Sequence, residues 1–200
     1  MTKLFSTAIA LTCLAFSQLS HAGLITFETK SLNGAVLADD LKSSWQANSN
    51  QVTTRELDAF NLVDIGRNTI GHLNVEFYIA EQGFWTFDFG LDAGFGADLY
   101  VDGALAVSRT DDLWWTRNWQ HGDVFSLDNF EFSQGNHSID LFFAENCCDG
   151  LSTIRLTNHA TQEVSVLSSQ SLPTASVPEP DTRALFALGA LGLIMRRKKK

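Results

Sequence analysis

The chain has 200 residues, of which 44% are hydrophobic and 18% are charged, so it is long enough to bury the core of one domain. Fourteen basic side chains against 23 acidic ones give a formal net charge of −9. This acidic balance argues against binding to the phosphate backbone of nucleic acids, and we expect no nucleic-acid partner.

The first 22 residues have the pattern of a secretory signal peptide. Lys3 supplies the positive start, Leu4–Phe16 is mostly apolar, and Ser20 and Ala22 place small residues where a signal peptidase reads them. At about 13 residues the apolar run is too short to cross a bilayer, which favours a cleaved signal over a buried helix. The pattern predicts cleavage between Ala22 and Gly23 by signal peptidase.

Eight segments after this signal have the alternation and the aromatic or β-branched residues that are typical of strands. They are Leu24–Glu28, His72–Ala80, Gly83–Phe89, Ala97–Val107, Val124–Phe132, His137–Ala144, Leu151–Thr157 and Glu163–Leu167. Only Ala35–Leu41 and Thr54–Asn61 have residues suited to helical turns. The pattern predicts an all-β domain over residues 23–167, folded as an antiparallel β-sandwich.

Two of these segments carry more detailed signals. In Gly83–Phe89, one face should be apolar, with Trp85, Phe87 and Phe89, and the other should be mixed, with Phe84, Thr86 and Asp88. In the second, Asp102 and Gly103 separate two apolar runs, which is the strongest short signal for a β-hairpin turn in the chain.

The C-terminal part begins with a Ser-rich segment and ends in a run of basic residues. Residues 168–176 lack a hydrophobic period and predict a stalk. A Pro-Glu-Pro motif follows at Val177, Pro178, Glu179 and Pro180. Residues 184–195 are uncharged, and twelve residues of helix rise about 18 Å, less than the hydrocarbon core of a bilayer. The sequence ends with Arg196, Arg197, Lys198, Lys199 and Lys200. Their positive charges favour placement of this end on the cytoplasmic side of the membrane.

This order of motif, short hydrophobic helix and basic end over residues 177–200 resembles the PEP-CTERM sorting signal of exported bacterial proteins. In that family an exosortase, a membrane-embedded cysteine protease, cuts near the Pro-Glu-Pro. The resemblance implies export in a Gram-negative bacterium, transient anchoring of this segment in the inner membrane, and a final place at the cell surface or in an exopolysaccharide matrix. A plain C-terminal membrane anchor is the alternative and predicts the same topology.

Removal of both ends leaves residues 23–180 with 7 basic and 22 acidic side chains, a net charge of −15. The exported part is therefore far more acidic than the whole chain. Such a surface repels acidic polymers and suits divalent cations and neutral glycans.

Residues 83–156 resemble the PA14-type β-sandwich of bacterial and fungal surface adhesins. The similar features are the aromatic strand 83–89, the Gly-rich loop and hairpin 92–103, the Gly-Asn-His entry at 135–137 and the closing strand 152–156. The resemblance implies a jelly-roll-like, non-enzymatic module that binds carbohydrate, in some relatives through calcium. Those calcium-binding relatives place two adjacent Asp residues before the hairpin, where this chain has Ala97 and Asp98.

Two groups of acidic residues are candidates for binding. Asp92 and Asp98 flank glycines and would hold calcium, the only cofactor that the sequence suggests, if the loop folds its oxygens inward; the alternative is solvated acids or Asx turns. Because indoles stack on sugar rings and carboxylates accept hydroxyl hydrogen bonds, a second group is a candidate glycan site, with core packing of the indoles as its alternative. That group is Asp111, Asp112, Trp114, Trp115 and Trp119.

Cys147 and Cys148 are the only cysteines left after removal of the signal, in a compartment that favours disulfides. Their Cα atoms are about 3.8 Å apart, so a disulfide between these neighbours is strained, and the alternative is a bond between two molecules. The run Cys147–Gly150 also resembles the Cys-Cys-Xaa-Gly group of PEP-CTERM proteins.

No sequence motif of a nucleophile, metal triad or phosphate loop occurs in the chain. We therefore expect a non-enzymatic surface or matrix protein that binds extracellular polysaccharide or has a structural role. A secreted glycan-degrading enzyme is the alternative, because a pair of catalytic carboxylates leaves no trace in residue spacing.

Overall fold

Two antiparallel sheets face each other in the computed structural model, which describes residues 23–38, 40–148 and 150–173. These residues all belong to one compact unit, His21–Ala175. The helix α1 spans Leu41–Ala47. The strands are β1 (Leu24–Ser31), β2 (Thr53–Glu56), β3 (Thr69–Ile79), β4 (Gly83–Gly90), β5 (Asp92–Ala93), β6 (Ala97–Val101), β7 (Ala104–Arg109), β8 (Leu113–Trp114), β9 (Phe125–Phe132), β10 (Gly135–Glu145), β11 (Thr153–Asn158) and β12 (Glu163–Val166).

The first sheet has the order β2-β1-β3-β10-β6-β7 and the second has the order β12-β11-β4-β9, while β5 and β8 form a separate two-stranded ribbon. The longest pairing joins β3 to β10 along eleven residues, from Gly135 opposite Ile79 to Glu145 opposite Thr69. The predicted all-β sandwich is therefore confirmed. The predictions for residues 1–22 and 174–200 lie outside the described residues. Within the described ranges, no helix is long and apolar enough to cross a membrane.

The core lies between the two sheets because apolar residues alternate along each strand. Phe87 and Phe89 of β4 are buried and Trp85 packs against the same cluster, whereas Phe84 on the other face is 42% exposed. The predicted shared face of β4 is confirmed. The core residues of the facing sheet include Ile25, Phe27, Leu73, Val75, Leu99, Ile139, Leu141 and Phe143, and β11, the neighbour of β4, adds Ile154 and Leu156.

The hairpin between β6 and β7 turns at Asp102 and Gly103, whose φ angles are 49° and 80°. Two successive positive φ values are those of a type I′ turn, which matches the twist of the flanking strands. The predicted turn is confirmed, and the predicted segment Ala97–Val107 is two strands joined by it.

Helix α1 begins six residues later than the helical turn predicted at Ala35–Leu41. Asp40 starts it, because its side chain accepts hydrogen bonds from the N–H groups of Lys42 and Ser43. The Ser43 hydroxyl also donates to this carboxylate and is the largest cause of its lowered pKa. The second predicted helical segment, Thr54–Asn61, is also wrong, because its first residues pair with β1 as part of β2.

Residues 168–173 lie on the sandwich, contrary to the stalk predicted for 168–176. The Ser169 N–H donates to the carbonyl of Asp58 at 2.9 Å, and Leu172 is 3% exposed in the core. Gly23 lies so close to Leu172 that a Cβ on Gly23 would be 2.7 Å from the leucine Cδ1. The described part of this Ser-rich segment therefore belongs to the domain.

Both ends of the described chain lie at one end of the sandwich. Leu24 pairs with Glu76 near the end of β3, and the Pro173 carbonyl accepts a hydrogen bond from Tyr78 N–H. Strand β10 starts at this end and finishes at Glu145, ten residues later, so the opposite end of the sheet is about 33 Å away.

Candidate functional site

An acidic pocket of about 280 Å³ opens at the end of the sandwich opposite Gly23 and Pro173. No lysine or arginine is among the described residues that line it. Its volume is near the lower end of the range of small-molecule sites, about 300–1,000 Å³. The lining residues are Asp92, Gly94, Asp112, Trp114, Glu145, Asn146, Cys147 and Cys148.

Glu145 fastens the two loops that form the pocket. It ends β10 and is 4% exposed. Its Oε2 accepts from Gly94 N–H at 2.9 Å, and its Oε1 accepts from the N–H groups of Asn146 and Cys147 at 2.9 and 2.8 Å. These three hydrogen bonds hold the 92–96 loop against the loop that follows β10.

Asp92 is a second buried acid of the pocket, with 6% of the residue exposed. Its backbone N–H donates to the Ser152 hydroxyl at 3.0 Å, and its side-chain Oδ2 has no hydrogen-bond partner within the described residues. Burial, followed by the charge of Glu145, raises the pKa of Asp92 to about 6, against the opposing effect of the Gly150 N–H. Asp92 is thus an acid that ionises near neutral pH.

The β5–β8 ribbon places an indole beside this acid. Asp92 pairs with Trp114 in the ribbon, so their side chains lie on the same side of it. Trp114 is 64% exposed, and its backbone N–H donates to the Asp123 carboxylate at 3.0 Å. A large apolar ring is therefore presented to solvent at the edge of an acidic pocket.

The structure separates the five residues of the predicted glycan group. Asp112 and Trp114 line the pocket. Asp111 instead accepts from Arg109 Nε at 2.7 Å, and this hydrogen bond lowers its pKa. Trp115 is buried, 6% exposed, and a Cβ on Gly90 would be 2.6 Å from its ring. Trp119 lies 4.8 Å from Trp115, between centroids, and its ring also faces the Arg155 guanidinium.

The predicted calcium pair is not assembled. Asp98 lies on β6 and faces α1, where Oδ2 accepts from Leu41 N–H at 2.8 Å and Oδ1 accepts from the Ser108 hydroxyl at 2.6 Å. Asp92 lines the pocket instead. In the described ranges, no group of three or more His, Cys, Asp or Glu side chains is arranged to hold a metal ion. Asp98 has a structural role, because it joins the helix to the sheet.

Cys147 and Cys148 are both exposed and both free thiols in the structure. A hydrogen bond with the Cys148 side chain is the largest cause of the raised pKa of the Cys147 thiol. The disulfide between them stays a prediction.

Sequence reasoning missed Glu145 and Asn146 as site residues. No motif marks them, because strand pairing is what brings the end of β10 to residues some fifty positions earlier in the chain. The Asn-Cys-Cys sequence directly after a buried strand was the only local signal.

The fold is similar to several solved PA14 and adhesin domains. A PA14 sugar-binding domain from an RTX adhesin aligns with a TM-score of 0.54 at 12% identity, over 76% of this chain and 98% of that one. The PA14 domain of the MpAFP antifreeze protein aligns at 0.51 and 14% identity, over 80% and 94%. The A domain of epithelial adhesin 6 from Candida glabrata, solved with Galβ1-3GlcNAc, aligns at 0.51 and 11% identity, over 83% and 92%. These identities show a shared fold.

No curated protein matches the sequence. The model of the PEP-CTERM protein-sorting motif matches residues 176–199. This motif marks a protein that is exported and sorted at the membrane, with processing by exosortase. The chain therefore joins a PA14-like β-sandwich to a C-terminal PEP-CTERM sorting motif.

Proposed function

We propose that this protein binds extracellular carbohydrate through the acidic pocket and acts, without catalysing a reaction, at the cell surface or in the exopolysaccharide matrix. The observation that carries the proposal is the exposed Trp114 indole beside Asp112 and Asp92. The similar fold of a PA14 sugar-binding domain and of an adhesin domain solved with a disaccharide supports it.

The chemistry of the pocket suits a sugar. The apolar face of a sugar ring packs on an indole, and ring hydroxyls donate to carboxylates and amide oxygens. Trp114 provides the first contact, while Asp112 and Asn146 stand beside it as exposed polar groups. Because Glu145 already accepts three backbone hydrogen bonds, its part is to hold the loops in place.

The sorting motif supports a location outside the cytoplasm. Residues 176–199 follow directly on the described end of the domain, and Pro173 lies at the end of the sandwich remote from the pocket. Export through a signal peptide cleaved between Ala22 and Gly23 belongs to the same proposal.

One observation favours a glycan-cleaving enzyme as the second candidate. Asp92, with a pKa raised to about 6, stands near Glu145, and glycosidases pair an acid of raised pKa with an ionised carboxylate. Against it, both oxygens of the buried Glu145 accept backbone hydrogen bonds that hold the two loops, so this carboxylate already has a structural role.

The test is a glycan array followed by calorimetric titration of the protein purified after export. We expect Trp114→Ala to abolish binding and Asp112→Asn to weaken it. The control is Phe84→Ala, which removes another exposed aromatic ring outside the pocket. If the wild-type protein binds no glycan on the array, the proposal is wrong. Release of shortened glycan over time, lost in Asp92→Asn, would establish the enzyme instead.

A further inference from the structure

The pocket has a strongly one-sided charge. Asp92, Asp112 and Glu145 line it, and none of the described residues that line it is basic. Glu145, Asp112 and Asp64 each raise the pKa of Asp92 through their charges, so their negative potential reaches the same place. A ligand that carries negative charge would be repelled here.

The Asp92 carboxylate adds a second, independent observation. It is more than nine-tenths buried, and its Oδ2 lacks a hydrogen-bond partner within the described residues. The Gly150 N–H is a hydrogen-bond partner of this carboxylate, but Oδ2 is left over, and an ionised carboxylate with an unpartnered buried oxygen is disfavoured. A positively charged group in the pocket would relieve this by offsetting the charge of Asp92.

Trp114 defines what kind of cation fits. Its exposed indole lies at the edge of the same pocket and offers an apolar face as large as a sugar ring. A metal ion or a simple amine would leave this ring uncovered, whereas an amino sugar would cover it with its ring and place an ammonium group toward the carboxylates.

We propose that the ligand of this pocket is a cationic glycan whose sugar rings carry free ammonium groups, as in a polymer of glucosamine that is not N-acetylated. This inference rests on the proposed function and narrows it to one substrate class. The ring stacks on Trp114, and the ammonium group pairs with the carboxylates of Asp112 and Asp92. Acidic polysaccharides are excluded by repulsion, and neutral ones lack the group that balances the pocket's charge.

The experiment compares four probes by titration calorimetry on the exported protein: a glucosamine oligosaccharide, its N-acetylated counterpart of equal length, spermidine, and calcium chloride. A charge-assisted hydrogen bond is about twice as strong as a neutral one, so we expect the glucosamine oligosaccharide to bind about tenfold more tightly than the N-acetylated one. Added salt should reduce this preference.

Two variants locate the preference. Asp112→Asn should weaken both oligosaccharides, because it removes an acceptor for ring hydroxyls, but it should weaken the charged one more and so remove most of the preference. Trp114→Ala should abolish the binding of both oligosaccharides. The matched control is Asp58→Asn, because Asp58 is an exposed acid outside the pocket.

Several results would overturn the inference. Equal or tighter binding of the N-acetylated oligosaccharide would leave carbohydrate binding intact and remove the cationic ligand. If spermidine binds as tightly as the glucosamine oligosaccharide, the pocket recognises positive charge and not a sugar ring. Sugar binding that requires calcium would assign the carboxylates to a metal. If neither oligosaccharide binds although the glycan array reports another sugar, this inference fails and the proposed function stands; if the array reports no sugar either, the proposed function fails as well.

Discussion

Gly150 lies against the carboxyl group of Asp92, so that a Cβ on Gly150 would overlap the carboxyl carbon and Oδ2. The position is thus closed to every side chain. We predict that Gly150→Ala lowers the free energy of unfolding by about 1–3 kcal/mol, as overpacking does. Gly122→Ala is the control, because a Cβ there meets no atom within 4 Å. Equal unfolding midpoints in denaturant for the two variants would contradict the prediction.

The buried Asp92 should make stability depend on pH. Its pKa is raised from the ordinary 3.8 to about 6, so between these values the folded state holds a proton that the unfolded state has lost. The contribution of Asp92 to the free energy of unfolding therefore decreases as pH rises through this window. We predict that the stability of Asp92→Asn relative to wild type increases from pH 4 to pH 8, by up to about 3 kcal/mol.

Urea unfolding of both proteins across this pH range measures the difference directly. Other carboxyls, such as that of Asp140, have lowered pKa values and act in the opposite direction in both proteins. The difference between the two curves isolates Asp92, and parallel curves would refute the raised pKa.

The adjacent indoles Trp114 and Trp115 should differ in what their removal does. Trp115 is buried against Gly90, and Trp115→Ala should cost about 3–5 kcal/mol of stability. Trp114 is 64% exposed, and Trp114→Ala should change stability by no more than about 0.5 kcal/mol. Thermal unfolding of the two variants measures this contrast. Similar losses for both would mean that Trp114 belongs to the core.

The last described segment should be fixed to the domain through Leu172. This side chain is 3% exposed and packs on Gly23, so Leu172→Ala should cost about 2–5 kcal/mol and expose residues 167–173 to protease. Leu105→Ala provides a matched control on an exposed leucine of β7. Equal cleavage of wild type and both variants in this segment would restore the predicted stalk.

The neighbouring thiols should form a bond within one molecule after export. Cys147 and Cys148 are both exposed, and the mature chain has no third cysteine. We predict that the intact mass of the monomer is lower by two hydrogens than after reduction. The bond should yield to mild reductant because it spans adjacent residues. A dimer that reductant dissociates would favour the bond between molecules instead.

The long strands were predictable because alternation of apolar residues is a direct consequence of one buried face. The segments around Phe87 and around Leu141 illustrate this. Strand β2, with the sequence Thr-Thr-Arg-Glu, has no alternation of apolar residues. It forms because it pairs with β1, so its local sequence does not predict it. Helix α1 was placed too early, although Asp40 followed by Leu41 is a usable capping signal.

Only some of the residues that line the pocket could be predicted from the sequence, because the others come together through the pairing of strands. Trp114 and Asp112 are conspicuous together in the sequence, and both line it. The sequence suggests Asp92 and Asp98 as a calcium pair. In the structure α1 lies over Asp98, whose carboxylate accepts a hydrogen bond from the Leu41 N–H. Glu145 joins the site through a hydrogen bond to Gly94, a pairing set by sheet order and not by spacing.

The position of Pro173 and of the pocket at opposite ends of β3 and β10 has a mechanical consequence. A pull applied between a ligand in the pocket and Pro173 acts along the direction of these strands. Hydrogen bonds between strands that lie along a pull are loaded together in shear, and the eleven paired residues of β3 and β10 lie along it. The same domain loaded across its sheet would open one hydrogen bond at a time, so the sandwich is oriented to resist tension.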